Sequence, residues 1–176
     1  QGNIDQYQKF DAKYFEYIKN SYLSLIKESE KFEESGLNVL VWPETAYPYQ
    51  YPFGVRNFFR DSKIKTYQIL GAFSYKENKY FNSAILLDKD LKEVDIYSKN
   101  HLVPFGEFFP FKKIVEKIVP IVKDFGNVSR GAGFNPLKIN NVKLGTEICY
   151  ESLFSAETRA FVMNGANVLV NISNDA

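Results

Sequence analysis

The stretch VKLGTEICYESLFSAETRAFVMNGANVLVNIS, residues 142 to 173, predicts the fold class of this chain. Residues 142–149 form a mostly apolar run that predicts a strand, and residues 152–163 predict a helix. Gly165 ends the helix, and NVLVNIS at 167–173 predicts a second strand. Because strands that alternate with helices are typical of α/β proteins, we expect an α/β domain.

The rest of the chain shows the same alternation in its outer part and a hairpin in the middle. Residues 8–35 carry apolar side chains at helical spacing and predict a long amphipathic helix, which Gly36 ends. Residues 37–42, LNVLVW, predict a strand that is buried on both faces of a sheet. The other predicted elements are a short helix at 54–63, a strand at 66–75, a hairpin of 81–88 with 94–98, a loop at 99–110 and an amphipathic segment at 111–122.

Length and composition exclude several classes of function. The 176 residues fit one domain, and 45% hydrophobic residues are enough for a sizeable core. The formal net charge of +1 gives no reason to expect nucleic acid as a partner. No apolar run reaches the roughly 18 to 20 residues of a membrane-spanning helix. The sequence has no His or Cys cluster with metal-ligand spacing and no glycine-rich phosphate loop, so no metal or cofactor is expected.

Three reactive side chains follow three predicted strands. Glu44 lies two residues after LNVLVW, Lys99 follows the strand at 94–98, and Cys149, the only cysteine, ends the strand at 142–149. Loops at the carboxyl ends of strands are where α/β folds build their sites. We therefore expect these three groups to meet.

Together these groups suit acyl transfer through a thioester. A free thiol is only a few per cent ionised at neutral pH, and a nearby lysine favours the thiolate. The Glu44 carboxylate is a candidate general base, and Lys99 with the backbone N–H of Tyr150 can bind an oxyanion. Taken singly, each residue has a simpler interpretation: a buried thiol, a helix N-terminal glutamate and an exposed lysine. His101, the only histidine, leaves a Cys–His dyad as an alternative.

At this point the sequence resembles the nitrilase (carbon–nitrogen hydrolase) superfamily and, within it, the apolipoprotein N-acyltransferase family. The matching stretches span the chain, and KNHLVPFGE and NISNDA are specific to the acyltransferases. They are QGNIDQ at 1–6, VWPETAYP at 41–48, KNHLVPFGEFFP at 99–110, ICYESLF at 148–154 and NISNDA at 171–176. The resemblance implies a nitrilase-like αββα sandwich that residues 1–176 cover in part, incomplete at the C-terminal end, without the membrane helices of the family.

The resemblance also implies a role for each matching residue. Glu44 is implied as the general base, Lys99 as the oxyanion-stabilising lysine and Cys149 as the nucleophile. Glu107 matches a glutamate that supports the site. Tyr150 and Glu151 match residues that line or brace the pocket, whereas Glu147 matches no residue with a known role and is expected on the opposite face of its strand.

The implied reaction takes an acyl chain from a phospholipid and transfers it to the N-terminal amine of a diacylated apolipoprotein. The family works at the bacterial cytoplasmic membrane with its catalytic domain on the periplasmic side, and it meets the bilayer through segments outside 1–176. The family also adds sandwich strands after residue 176, and without them a sheet edge and apolar surface would be exposed, so the chain alone is expected to be poorly stable and weakly active or inactive. Two alternatives remain open: a soluble nitrilase-type amidase that hydrolyses a small amide or nitrile, and a non-catalytic interaction domain.

Overall fold

The structure is a computed structural model that describes Ile4, Gln8, Lys31 and residues 11–29, 36–59, 66–110 and 128–174. Within these ranges, three α-helices and seven β-strands follow one another along the chain. They are α1 (Phe15–Ser29), β1 (Val39–Val41), α2 (Val55–Phe58), β2 (Tyr67–Lys76), β3 (Lys79–Leu87), β4 (Glu93–Ser98), β5 (Leu137–Ile139), β6 (Val142–Ile148), α3 (Ser155–Met163) and β7 (Val168–Ile172).

The described strands form two sheets. The first has the order β1-β2-β3-β4, in which β1 and β2 are parallel and the other pairs are antiparallel. The second has the order β5-β6-β7, in which β6 and β7 are parallel. The carboxyl ends of β1, β2 and β4 therefore lie at one edge of the first sheet, and those of β6 and β7 lie together in the second.

Alternating side chains show how the layers stack. On β3, Ile85 and Leu87 pack in one cluster with α1, whereas Ala84 and Leu86 pack in the other cluster with residues of the second sheet. The second sheet is covered on its outer face by α3, because a Cβ added at Gly145 would lie 2.9 Å from the side chain of Phe161. The order of layers is helix, sheet, sheet, helix, as the expected αββα sandwich requires.

The first helix is shorter than predicted within the described residues. A single 3-10 turn, Ala12–Tyr14, begins where Asp11 accepts a hydrogen bond from the backbone of Lys13 at 3.1 Å, and α1 follows. The buried face of α1 consists of Ile18, Tyr22 and Ile26. The remainder of the prediction over 8–35, including Phe10 and Phe32, lies largely outside the described residues, as does the whole segment 111–122.

The expectation that residues 37–42 form a strand buried on both faces is wrong. Val39 packs against one core cluster and Leu40 against the other, but both are only partly buried. Val41 is 44% exposed. In the described part of the chain β1 pairs with β2 alone, so it is an edge strand of the first sheet. Its side chains contact both clusters, but among the described residues the strand lacks a neighbouring strand on its other side.

The central hairpins are partly as predicted. The pairing of 81–88 with 94–98 is confirmed by β3 and β4, and the strand at 66–75 by β2. The turn between β2 and β3 was not predicted. Glu77 and Asn78 both adopt left-handed backbone angles there, but the sequence lacks the Asn-Gly pair that usually marks such a turn. The predicted helix at 152–163 is divided into a 3-10 turn, Cys149–Leu153, and α3.

Candidate active site

The loop that carries Glu44 folds back over strand β2. The backbone N–H of Tyr47 donates to the carbonyl of Gly71 at 3.1 Å. A Cβ at Gly71 would lie only 2.1 Å from the carbonyl oxygen of Pro43, so a side chain there would push the loop away. Glycine at this position lets the loop bring Glu44 to the edge of the first sheet.

Lys99 lies directly after β4 and is almost fully buried, with 1% of its side chain exposed. Its Nζ is 3.0 Å from a carboxylate oxygen of Glu107 and 3.8 Å from Oε1 of Glu44. A buried ammonium group is costly unless opposite charges compensate it. The two carboxylates provide that compensation and hold the lysine between them.

Asn82 connects these two carboxylates and was not predicted. Its Nδ2 donates to Oε1 of Glu44 at 2.7 Å and to Oε1 of Glu107 at 2.9 Å. Glu107 is also held by the backbone N–H of Val103, which donates to its Oε2 at 2.9 Å. The available sequence signal was an asparagine within the apolar strand FNSAILLD, a residue type that strands disfavour.

Cys149 begins a tight turn at the end of β6. It is the first residue of the 3-10 turn Cys149–Leu153 and has φ of +55°, in the left-handed region that residues with a Cβ rarely adopt. Its side chain is half-buried. Backbone strain of this kind is often found at reactive groups.

The thiol of Cys149 lies close to side chains from both sheets. Glu44, which follows β1, and Ser173, which follows β7, are both near enough to shift the pKa of the thiol. Ser173 follows β7, whose Ile172 pairs with Ile148 on β6, so the register places Ser173 beside the cysteine. This serine lies in the recognised NISNDA stretch, although no role was predicted for it.

The surroundings of Cys149 raise the pKa of its thiol above the ordinary value of 9.0. Burial is the largest cause, and the negative charge of Glu44 adds to it. The charge of Lys99 and the hydrogen bond with Ser173 act in the opposite direction but are outweighed. Lys99 thus lowers the pKa of the thiol, as expected, but the other groups outweigh it. Cys149 therefore rests as a thiol, and a base must remove its proton before the sulfur can act as a nucleophile.

Glu151 ties the two sheets together behind the site. It is fully buried, and its carboxylate accepts four hydrogen bonds. The donors are Tyr97 Oη at 2.8 Å and the backbone N–H groups of Asn100 at 2.7 Å, His101 at 3.0 Å and Ile148 at 2.9 Å. Burial raises the pKa of Glu151, and the backbone donors oppose that shift. One carboxylate thus links the chain just after Lys99 to the residue just before Cys149.

Tyr150 and His101 belong to an aromatic group that begins next to Cys149 in the chain. Tyr150 is 43% exposed, and its ring lies 5.2 Å from that of Phe154. His101 stacks on Phe154 with ring centroids 3.8 Å apart, and its Nδ1 lies 2.6 Å from Oε1 of Glu157. The imidazole is therefore engaged on α3, and the geometry does not favour a Cys–His dyad.

Glu147 lies on the opposite face of β6 from the second sheet's inner core, as expected. Its carboxylate accepts a hydrogen bond from the hydroxyl of Thr158 on α3. It alternates with Thr146 and Ile148, which point into the space between the sheets. Glu147 therefore joins a strand to its covering helix, whereas Glu151 faces the site.

Two adjacent aromatic residues at the end of α2 are core residues. Phe58 and Phe59 are buried in the cluster with α1. Of the helices in the described ranges, none combines the length and the apolar character needed to cross a membrane. Among the same residues, no group of three or more His, Cys, Asp or Glu side chains is placed to hold a metal ion.

Comparison with known proteins shows the family of this chain. Residues 11–176 match the family described as Carbon-nitrogen hydrolase. The chain belongs to the carbon–nitrogen hydrolase family. Two curated relatives, both named apolipoprotein N-acyltransferase, come from Geobacter metallireducens and Wigglesworthia glossinidia brevipalpis. Each is 34% identical and matches the whole chain, but the chain spans only 35% and 36% of their lengths.

Solved structures of carbon–nitrogen hydrolases share the fold. A carbon-nitrogen hydrolase from Helicobacter pylori G27 matches 90% of this chain and 55% of its own, with a TM-score of 0.64 and 21% identity. Saccharomyces cerevisiae Nit3, a member of branch 10 of the nitrilase superfamily, matches 90% of this chain and 59% of its own, with a TM-score of 0.62 and 17% identity. The expected nitrilase-like α/β fold is confirmed.

Proposed function

We propose that this chain is part of the catalytic domain of an apolipoprotein N-acyltransferase, with Glu44, Lys99 and Cys149 as its catalytic groups. The observation that carries the proposal is the meeting of these groups: Nζ of Lys99 lies 3.8 Å from Oε1 of Glu44, and both side chains act on the pKa of the Cys149 thiol. The names of the relatives with 34% identity support the choice of reaction within the family.

In the first half-reaction, Glu44 accepts the proton of the Cys149 thiol, and the sulfur attacks the ester carbonyl of a phospholipid. The negative charge that develops on the carbonyl oxygen is stabilised by Lys99 and by the backbone N–H of Tyr150. The C–S bond forms and the ester C–O bond breaks. Glu44 returns its proton to the leaving alkoxide, so the products are a lysophospholipid and a thioester on Cys149.

In the second half-reaction, the N-terminal amine of a diacylglyceryl-cysteine lipoprotein attacks the thioester. Glu44 accepts a proton from the amine as the C–N bond forms and the C–S bond breaks. The proton passes to the departing sulfur, which restores the thiol that the raised pKa of Cys149 favours. The product is an amide, and the kinetics are of the ping-pong type.

The same proposal includes the place of action and the partners. The enzyme would act at the bacterial cytoplasmic membrane, with residues 1–176 in its catalytic domain on the periplasmic side. Its partners are a phospholipid donor and a diacylated apolipoprotein acceptor. The half-exposed Tyr150 and the exposed Phe105 and Leu153 give this region an apolar surface that suits acyl chains.

The proposal is tested by mass spectrometry of the full-length protein after incubation with phospholipid alone. We expect an added acyl group on Cys149 that is absent from a Cys149→Ser variant and disappears when a diacylated lipopeptide is supplied. The matched control is Ser155→Ala, which removes an exposed hydroxyl six residues along the chain from Cys149. Hydrolysis of a small amide without any acyl adduct from phospholipid would contradict the proposal in favour of a soluble-type amidase.

A further inference from the structure

We propose that Asn82 is a positioning residue that holds the general base Glu44 in place beside Cys149. The inference rests on the proposed function, in which Glu44 moves the proton of the nucleophile. Asn82 does not contact the reacting atoms in this role, because it acts through the two carboxylates that its amide joins.

The backbone fixes Asn82 at the centre of the site. It lies in β3, directly opposite Phe73 on β2, and its carbonyl accepts a hydrogen bond from the backbone N–H of Lys99 at 2.8 Å. The residue is 2% exposed. A side chain at this point of the sheet is therefore held between two neighbouring strands and has little freedom to leave the carboxylates.

The hydrogen bonds fix the orientation of the amide. If the amide were flipped, its oxygen would lie 2.7 Å and 2.9 Å from oxygens of Glu44 and Glu107, and such contacts between acceptors are repulsive. In the observed orientation both amide hydrogens serve the carboxylates, while Oδ1 is buried without a hydrogen-bond partner among the described residues. Buried carbonyl oxygens usually accept a hydrogen bond. The amide of Asn82 is therefore oriented so that its N–H groups reach both carboxylates, although its oxygen is left without a donor among the described residues.

The charges around Asn82 explain why a neutral donor is needed there. The titratable groups that meet at this point are Glu44 after β1, Lys99 after β4, Glu107 in the following loop and Cys149 after β6. Two carboxylates share a single ammonium group, and a neutral donor can hold both of them without adding charge. The amide of Asn82 supplies one hydrogen bond to each carboxylate, which fixes the position of Glu44.

The test follows Cys149 alkylation by iodoacetamide as a function of pH in the full-length protein, read by mass spectrometry. Asn82→Asp puts a third carboxylate in the group, so the pH midpoint of alkylation should rise by about one unit or more. Asn82→Ala frees Glu44 from its position near the thiol, so the midpoint should fall. Acyl transfer should decline at least tenfold in both variants, in kcat rather than in KM.

Ser83→Ala is the matched control. Ser83 is the next residue on the same strand, is equally buried, and makes two side-chain hydrogen bonds, with Ser74 and Ser98, on the opposite face of the sheet. The pH midpoint of Cys149 alkylation in the Ser83→Ala variant should equal that of the unmodified protein. A general loosening of the sheet would move this control together with the Asn82 variants.

Each outcome separates the two proposals. Midpoints that move in opposite directions for Asn82→Asp and Asn82→Ala support the positioning role, and they do so even if no phospholipid adduct forms and the proposed function fails. Midpoints that stay unchanged, or that move in the same direction, overturn the role of Asn82, even if the unmodified protein forms the phospholipid adduct.

Discussion

The two sheets contribute to the site in different ways. On the first sheet, Lys99 and Glu107 are held by contacts between charged side chains, with Asn82 bridging the acids. On the second sheet, Cys149 is held by the backbone, because it occupies a left-handed turn whose preceding residue is bonded to Glu151. The charged groups of the first sheet can therefore be tuned by their neighbours, whereas the position of Cys149 depends on the shape of one turn.

Glu151 is where the two arrangements meet. Its four hydrogen bonds come from both sheets, and its complete burial means that no water can replace a lost partner easily. The difference between the halves predicts that substitutions on the first sheet change mainly the chemistry. Substitutions on the second sheet should change both chemistry and stability.

The largest expected effect is that of Lys99→Met on the first sheet. Removal of the ammonium group takes away the proposed oxyanion donor and leaves Glu44 and Glu107 without their shared positive charge. We expect acyl transfer to fall about 100- to 1,000-fold, as when one such donor is lost from other enzymes. The pKa of Cys149 should rise further, because Lys99 is one of the groups that lower it.

The measurement for Lys99→Met is the initial rate of acyl transfer together with the pH profile of Cys149 alkylation. Lys76→Met, at an exposed position at the end of β2, is the control for loss of a lysine. A Lys99→Met protein that kept more than about a tenth of the activity would argue against an oxyanion role for this lysine.

Glu151→Ala should have the next largest effect, and it tests the link between the sheets. The change leaves three backbone N–H groups without their acceptor in a fully buried place. We expect a loss of about 3 kcal/mol or more in the free energy of unfolding, seen as a lower midpoint of thermal unfolding. Glu151→Gln, which keeps one acceptor oxygen, should lose less, and equal midpoints for both variants would show that the link carries little energy.

The sequence predicted most of this arrangement, but not the contacts that cross between strands. Glu44, Lys99 and Cys149 each follow an apolar strand, which is a local pattern that can be read along the chain. The roles of Asn82 and Ser173 depend on which strands are neighbours and in what register, and no local pattern contains that information. Short elements were missed for a related reason, since three residues in β5 are too few to show a period.

A smaller effect is expected for the difference in stability between Cys149→Gly and Cys149→Ala. This comparison tests whether the turn at the end of β6 is strained. Alanine must keep its Cβ at a φ of +55°, whereas glycine adopts this angle without cost. The glycine variant should therefore be more stable than the alanine variant by about 1 kcal/mol in thermal unfolding. At Ala156, an exposed position within α3, replacement by glycine should have the opposite sign. Equal stability of the two Cys149 variants would mean that the turn relaxes.

The smallest effect is expected for Glu147→Gln, which sharpens the comparison within a single strand. Glu147 and Glu151 are each two residues from Cys149, but Glu147 faces α3, where its one described partner is the hydroxyl of Thr158. Glutamine keeps an acceptor oxygen for that hydroxyl, so acyl transfer should stay within about twofold and stability within about 1 kcal/mol. The same substitution at Glu151 removes a charge-assisted acceptor from four donors and should reduce both. A loss of activity at Glu147 as large as that at Glu151 would mean that the outer face of β6 takes part in the chemistry, and the division of roles between the faces of this strand would be wrong.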